Sequence, residues 1–246
     1  MNHHYDNNAR CSSCDIRKIA LYRGLSDEVI SKLEKCRRGI KRVAKGEILF
    51  LEDSKRPLCY TVRSGIFLKT SVDSDGTERS SSICLASDFI GFQSGANEPM
   101  THTISALTEC YVCCFHRQTL YDEMVSEQPG LLVEVLNKAR KDHAYCENKH
   151  HIRPSTVRVA FIIYSIHMRV QELLAHRPHD EIFSDGYIPV PLHALAKLAE
   201  IAPEHLSNEV IPELVSKGII RFSAKKDEKF KILDPSALLE MVSKHL

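Results

Sequence analysis

The sequence predicts an α+β fold: an antiparallel β-roll, then a long dimerisation helix, then a C-terminal winged helix-turn-helix. Three observations predict it. From about residue 40 to 120, short segments rich in Val, Ile, Phe, Tyr and Thr are broken by turn signals at Lys45-Gly46, Ser64-Gly65, Asp75-Gly76 and Ser94-Gly95. Such regular punctuation marks an all-β sandwich or jelly roll. After Pro129-Gly130 the apolar spacing changes to 4, 3, 4, 3, 4, the period of a helix with one sticky seam. Beyond Pro154 the chain reads helix, helix, short turn, helix, and then two short strands around KKDEK.

Composition bounds the rest. The 246 residues are enough for two modest domains. No apolar run approaches the ~20 residues that cross a bilayer, and the opening MNHHYDNNAR has no apolar core of a signal peptide. A cytoplasmic protein without membrane attachment is expected. Its nine cysteines are odd in number and irregularly spaced, which suits reduced thiols better than a disulfide framework. Metal or cluster ligation therefore competes with plain burial as their explanation. A net charge of +1 neither demands nor excludes a nucleic-acid partner, so local charge decides. No Gly-rich phosphate loop, HExxH or nucleophile motif occurs, so the chain is read as not an enzyme.

The elements follow in order. In LSDEVISKLEKC (25–36), Ser26 is placed as N-cap and Val29, Ile30 and Leu33 share one face, which predicts a short leading helix. The basic run KCRRGIKR after it reads as a solvated edge. The seam of the long helix consists of Leu132, Leu136, Ala139, His143, Cys146 and His150, and Pro154 closes it. Its second half is poor in apolar surface. His143, Cys146 and His150 suit a metal or a protonation-sensitive contact across a two-fold axis; alternatively they drift to solvent, because 3.6 does not divide seven evenly. STVRVAFIIYSIHMRVQELLAH (155–176) predicts a long, largely buried helix. The expected domains are a Cys-containing sensing segment (1–24), a β-roll (25–125), the dimerisation helix (126–154) and the winged helix-turn-helix (155–246).

Several segments in this order resemble the CRP/FNR family of bacterial transcription regulators, and its FNR-like branch in particular. KGEILFLEDS, YTVRSGIFLKT, DSDGTE and LASDFIGF are similar to that branch's strands and turns, and LAKLAEIAPEHLS to its helix-turn-helix. The resemblance implies a cyclic-nucleotide-binding-like jelly roll, a homodimer, double-stranded DNA with a two-fold-symmetric site as target, and RNA polymerase as partner. It also implies oxygen or redox sensing through a [4Fe-4S] cluster, held by three N-terminal cysteines and one from the roll. Cys11 and Cys14 in CSSCDIRKIA match the first two and Cys113 in ECYVCCFHRQTL the roll cysteine. Ala20 stands where the third belongs, which leaves the fourth ligand open among Asp15, Cys36, Cys110, Cys114 and His116. Side chains alternate along a strand, so Cys110 and Cys114 are expected to face away from Cys113.

Family members that bind cyclic nucleotides carry Gly-Glu and then Arg-Ser/Thr-Ala in the cassette that here reads GFQSGANEPMTHTISAL. Gly91 is followed by Phe92, and no Arg is present to pair with a cyclic phosphate, so no cAMP is expected.

At the reading end, the resemblance maps base contacts to Glu204, Ser207 and Asn208, with Asn208 where the family usually has Arg. An ungapped register places His205, Asn208 and Glu209 there instead. Pro212 lies inside this helix, with one residue more than the family pattern before Gly218, so a kink or a shortened helix is expected. Residues 190–217 hold Lys197 and Lys217 against Glu200, Glu204, Glu209 and Glu213, a local net of −2. DNA affinity comes mostly from phosphate neutralisation, so compensation is expected from Lys225 and Lys226 with Arg221, Lys229 and Lys231. The rival reading keeps the fold without the cluster or specific DNA binding, and regulates through a protein partner or another small-molecule signal.

Overall fold

The computed structural model describes residues 10–20, 25–92, 97–122, 129–223 and 228–245; in the helix over 129–151 the side chains of Leu132, Leu136, Ala139 and His143 are outside the description. Two compact units divide the chain, Met1–Phe67 with Cys84–Arg140, and Leu68–Ile83 with Lys141–Leu246.

The first unit opens with two short 3-10 turns, Cys11–Ser13 and Asp15–Lys18. Ile16 from the second is buried, as is Ala20 just beyond it. Helix α1 (Asp27–Cys36) starts where Ser26 accepts the Val29 N–H at 3.4 Å, satisfying one of the donors that a helix start leaves free. Its buried face is Val29, Ile30, Leu33 and Cys36. The chain passes straight into β1 (Arg37–Val43) and then β2 (Ile48–Phe50), β3 (Leu58–Ser64), β4 (Phe67–Val72), β5 (Glu78–Cys84), β6 (Phe89–Ile90), β7 (Thr103–Ala106) and β8 (Cys110–His116). One antiparallel sheet of this unit has the order β1-β8-β3-β6, and β2 pairs with β7. Central strand β8 sets Cys113 opposite Ile40 of β1 and Thr61 of β3.

Alternate residues of β8, Cys110, Val112 and Cys114, enter a core shared with Phe50, Tyr60 and Met100. Cys113 belongs to the other face, as strand periodicity requires. Short helix α2 (Arg117–Leu120) follows β8, and α3 (Pro129–His151) is the long helix.

In the second unit, β4 and β5 form a hairpin. Its turn is closed by the Asp73 N–H donating to Thr77 O and the Gly76 N–H to Asp73 O, with Gly76 at φ +82°. Helix α4 (Ser155–His176) buries Val159, Ala160, Phe161, Ile162 and Ile163 in succession, so it is covered on every side there. Then come α5 (Leu192–Ala199), α6 (Pro203–His205), a π turn (Leu206–Val210), α7 (Ile211–Ser216), the antiparallel pair β9 (Ile220–Ser223) and β10 (Lys229–Ile232), and α8 (Pro235–Ser243), which packs on α4. Helix, tight turn, helix and strand pair follow in the order expected of a winged helix-turn-helix.

Gly65 makes the sharp link from β3 to β4. Its φ is +92°, and an added Cβ would fall 2.4 Å from Cys110 Sγ and 2.6 Å from Glu109 O. Backbone strain and overpacking therefore act together. Gly65→Ala is expected to cost about 3 kcal/mol, read as a lower urea midpoint; a change under about 0.5 kcal/mol would show that the loop moves freely.

Candidate functional site

The second helix of the helix-turn-helix is continuous through α6, the π turn and α7. Its irregularity lies where Pro212 was expected to kink or shorten it. The Ile211 N–H donates to Leu206 O, five residues back, instead of to Ser207 O four back. A π turn takes up one extra residue in a helix, and Pro212 then falls in the first turn of α7, where its missing N–H does least harm. The helix is neither broken nor cut short.

Glu204, Ser207, Asn208 and Glu209 are exposed on this helix, while Leu206, Val210, Ile211 and Leu214 are buried beneath them. The Ser207 hydroxyl donates to Glu204 O at 3.1 Å and lies 3.4 Å from Asn208 Oδ1. His205 differs: it is half-buried, its Nε2 is 2.8 Å from Ser155 Oγ at the start of α4, and its Nδ1 is 3.2 Å from Glu209 Oε1. It braces the helix against α4 while its neighbours face outward.

The local acidity is largely answered inside the unit. Glu213 pairs with Lys217 at 2.6 Å and accepts the Thr156 hydroxyl at 2.7 Å, and these bonds hold its carboxyl below the usual carboxylate range. Glu200 is the left-handed C-cap of α5, at φ 53°. Burial pushes its carboxyl up, but Lys149, His150 and Arg79 outweigh that and leave it below the ordinary value. Sequence reasoning missed Arg79, Lys149 and Arg63, because no local pattern announces partners 50 to 121 residues away.

Of the basic residues expected around the strand pair, Lys225 and Lys226 lie outside the described residues. Arg221 is exposed. Lys229 pairs with Asp185, and both Lys229 and Lys231 lie over the Tyr187 ring, 5.2 and 5.9 Å from its centroid.

The predicted seam divides. Leu132, Leu136, Ala139 and His143 lie outside the described side chains. Cys146 Sγ is 3.8 Å from Ser81 O of the hairpin, and His150 Nδ1 is 3.6 Å from Glu200, so both have contacts within their own chain.

In the first unit Cys11, Cys14 and Cys113 come close enough to act on one another electrostatically. Burial pushes the Cys11 thiol up to about 11 against the pull of Arg37. Cys113 is likewise raised by burial, opposed by Arg63, whose guanidinium lies 3.9 Å from its sulfur. Burial thus favours the neutral thiol at both positions, and a bound ion would have to displace those protons. Of the substitute ligands, Asp15 receives the Cys14 thiol at 3.9 Å. His116 meets Thr119, Cys36 donates to Lys32 O, and Cys110 and Cys114 lie in the roll core.

These residues do not fit a [4Fe-4S] cluster. Ala20 is 1% exposed and its N–H donates to Ile16 O at 2.8 Å, so position 20 is core. Among the described residues no group of three or more His, Cys, Asp or Glu is placed to hold a metal ion. In the roll, Gly91 backs onto Met100 and Phe50, whose atoms lie 3.3 and 3.4 Å from where its Cβ would be. Apolar packing occupies the start of the cassette that lacks an arginine.

Residues 40–127 match the family described as the cyclic nucleotide-binding domain. The "Fumarate and nitrate reduction regulatory protein" of Yersinia pestis is 25% identical over 126 residues, 51% of this chain and 50% of its own length. The corresponding Escherichia coli protein is 24% identical over the same shares. The chain thus spans about half the length of the curated relatives it matches. FixK2 from Bradyrhizobium japonicum superposes with a TM-score of 0.64 at 16% identity, over 82% of this chain and 96% of its own. TTHB099, a CRP family transcriptional regulator from Thermus thermophilus, gives 0.62 at 18% identity over the same shares. The fold is that of the CRP/FNR regulators: a jelly-roll domain joined to helices.

Native-state alkylation at neutral pH is expected to label half-exposed Cys14 before buried Cys11 and Cys113, read by peptide mass spectrometry. Equal labelling of all three would mean that the segment carrying Cys11 does not stay docked.

Proposed function

We propose that this chain is a homodimeric, DNA-binding transcription regulator of the CRP/FNR type that reads a two-fold-symmetric site in double-stranded DNA and acts on RNA polymerase. The observation that carries the reading is the outward face Glu204, Ser207 and Asn208 on the second helix of a helix-turn-helix, over a fully apolar inner face and braced by His205 on Ser155. Asn bonds the edge of adenine with two hydrogen bonds, and Glu accepts from cytosine. In this reading residues 155–246 are the DNA-binding domain, 126–154 the dimerisation helix, 25–125 the β-roll sensor and 1–24 the segment that feeds it. The molecule works in the cytoplasm and has no catalytic step.

The FNR-like resemblance extends to oxygen or redox sensing. What supports that extension is the mutual approach of Cys11, Cys14 and Cys113, the last of them beside Arg63. The donor set is incomplete, however, so no resident cluster is assigned at this corner. After anaerobic purification, iron and acid-labile sulfide are expected to be far below stoichiometric. A stoichiometric content with broad visible absorbance, lost in Cys113→Ala, would restore the cluster.

The rival reading, regulation through a protein partner, draws on the acidic residues Glu204 and Glu209 of the exposed face. DNA binding separates the two. A duplex selected from a randomised, two-fold-symmetric library is expected to bind with a steep loss of affinity as salt rises. Asn208→Ala is expected to lose about 1–3 kcal/mol on that duplex and to relax preference at one base pair per half-site. Failure to enrich any sequence would favour the protein partner.

A further inference from the structure

The second unit contains a charged joint that the DNA-reading proposal does not use. Lys149, near the end of α3, is 1% exposed. Its ammonium donates to Ser80 O of β5 at 3.0 Å and pairs with Glu200 Oε1 at 3.0 Å. Glu200 Oε2 receives Arg79 of β5 at 3.0 Å. On the flank, Lys197 of α5 pairs with Glu78 of β5 at 3.0 Å. Arg158 of α4 completes the arrangement by donating to Ala199 O at 2.7 Å and to Ile152 O at 3.0 Å. The hairpin is gripped from its other end as well, where Arg169 of α4 donates to Ile83 O at 2.7 Å.

Three parts of the chain thus meet at one carboxylate. Glu200 begins the turn between the two helices of the helix-turn-helix, and its left-handed backbone fixes the angle at which α6 leaves α5. Lys149 and His150 end α3. Arg79 lies in a hairpin that the chain enters from β3 and leaves toward β6. A buried ammonium that loses its carboxylate is left uncompensated, so movement of any one part is opposed by the other two.

We propose that Glu200 is a positioning residue: through Lys149 and Arg79 it joins the β4–β5 hairpin and the end of α3 to the helix-turn-helix turn, so that displacing the hairpin re-aims the reading helix. The DNA part of this proposal rests on the reading given above. The joint itself does not, and the two are tested separately.

The first arm is hydrogen exchange on the full chain without DNA. Glu200→Gln is expected to speed amide exchange about tenfold in both the hairpin (73–83) and the turn (199–203), and Arg79→Gln about threefold in the same two segments. Lys244→Gln, which removes a surface pair with Glu240 on α8, is expected to change neither. The Arg79 variant is the decisive one and is read in the turn, because Arg79 also pairs with Asp73 inside the hairpin itself. If its turn exchanges at the wild-type rate, the joint does not couple the two elements and the proposal falls.

The second arm is affinity for the selected duplex. Arg79→Gln is expected to bind about tenfold more weakly with an unchanged salt slope, because a loosened head must be ordered on binding while no phosphate contact is lost. A slope reduced by about one would make Arg79 a phosphate contact and overturn its positioning role. If the wild-type chain binds no duplex, the functional reading fails, while the exchange arm still decides the joint.

Discussion

A lysine ammonium cannot be buried without a counter-charge and hydrogen-bond acceptors, because desolvation costs several kcal/mol per ion. Lys149 obtains both, from Glu200 and from Ser80 O. That requirement places the end of α3, the hairpin and the helix-turn-helix turn within about 3 Å of common atoms. It also accounts for the backbone at Glu200, a non-glycine residue in the left-handed region. Such a conformation costs of order 1 kcal/mol or more and persists where its surroundings over-determine it. Here the over-determination is visible: Arg158 holds the preceding carbonyl while Lys149 and Arg79 hold the side chain. Because the Glu200 carboxyl titrates below its ordinary value, its contribution is full above the unfolded-state value of about 4.5 and fades as pH falls through the lower folded one.

The roll depends on a different constraint, the strict alternation of β8. Cys110 and Cys114 fill its interior while Cys113 turns toward Arg63 and the N-terminal turns. A thiol is a small apolar group when protonated and a ligand or nucleophile when ionised. Burial decides between these. It raises Cys59 to about 12 and Cys11, Cys110 and Cys114 to about 11, and seven of the nine cysteines are buried, as packing groups are. What distinguishes Cys113 is an arginine 3.9 Å from its sulfur, a partner that favours the thiolate even where desolvation still wins.

Local signals made much of this fold legible. The Ser26 cap, the Asp75-Gly76 hairpin turn and the bounds of α4 follow from side chains that act on their own backbone within a few residues. The Pro212 signal marks the place where the helix departs from regularity. A proline removes an N–H and clashes with the carbonyl four residues back, and a kink is one way to relieve that. A one-residue insertion offered another, since the π turn moves the hydrogen-bond register just before the proline. The charge of −2 over residues 190–217 was equally correct as a count and incomplete as electrostatics. Its partners Arg79, Lys149 and His150 lie elsewhere in the sequence, and no periodicity connects them to Glu200.

Once these pairings are taken into account, the exposed charge on the helix over 203–216 differs from what the count implies. Glu200 and Glu213 are answered by bases of the same unit, and Glu209 lies against His205. Glu204 is left on the outward face beside Ser207 and Asn208. An exposed carboxylate is tolerable at a major groove where it accepts from a cytosine amine, and repulsive where it faces a phosphate. In the proposed reading the helix is thus better built to discriminate bases than to hold the backbone, and affinity would come from basic groups off the helix, such as exposed Arg221 on β9, and from the two-fold repetition that a dimer supplies. Dependence on two heads at once makes their relative aim matter, and in the proposed reading that aim is set at Glu200.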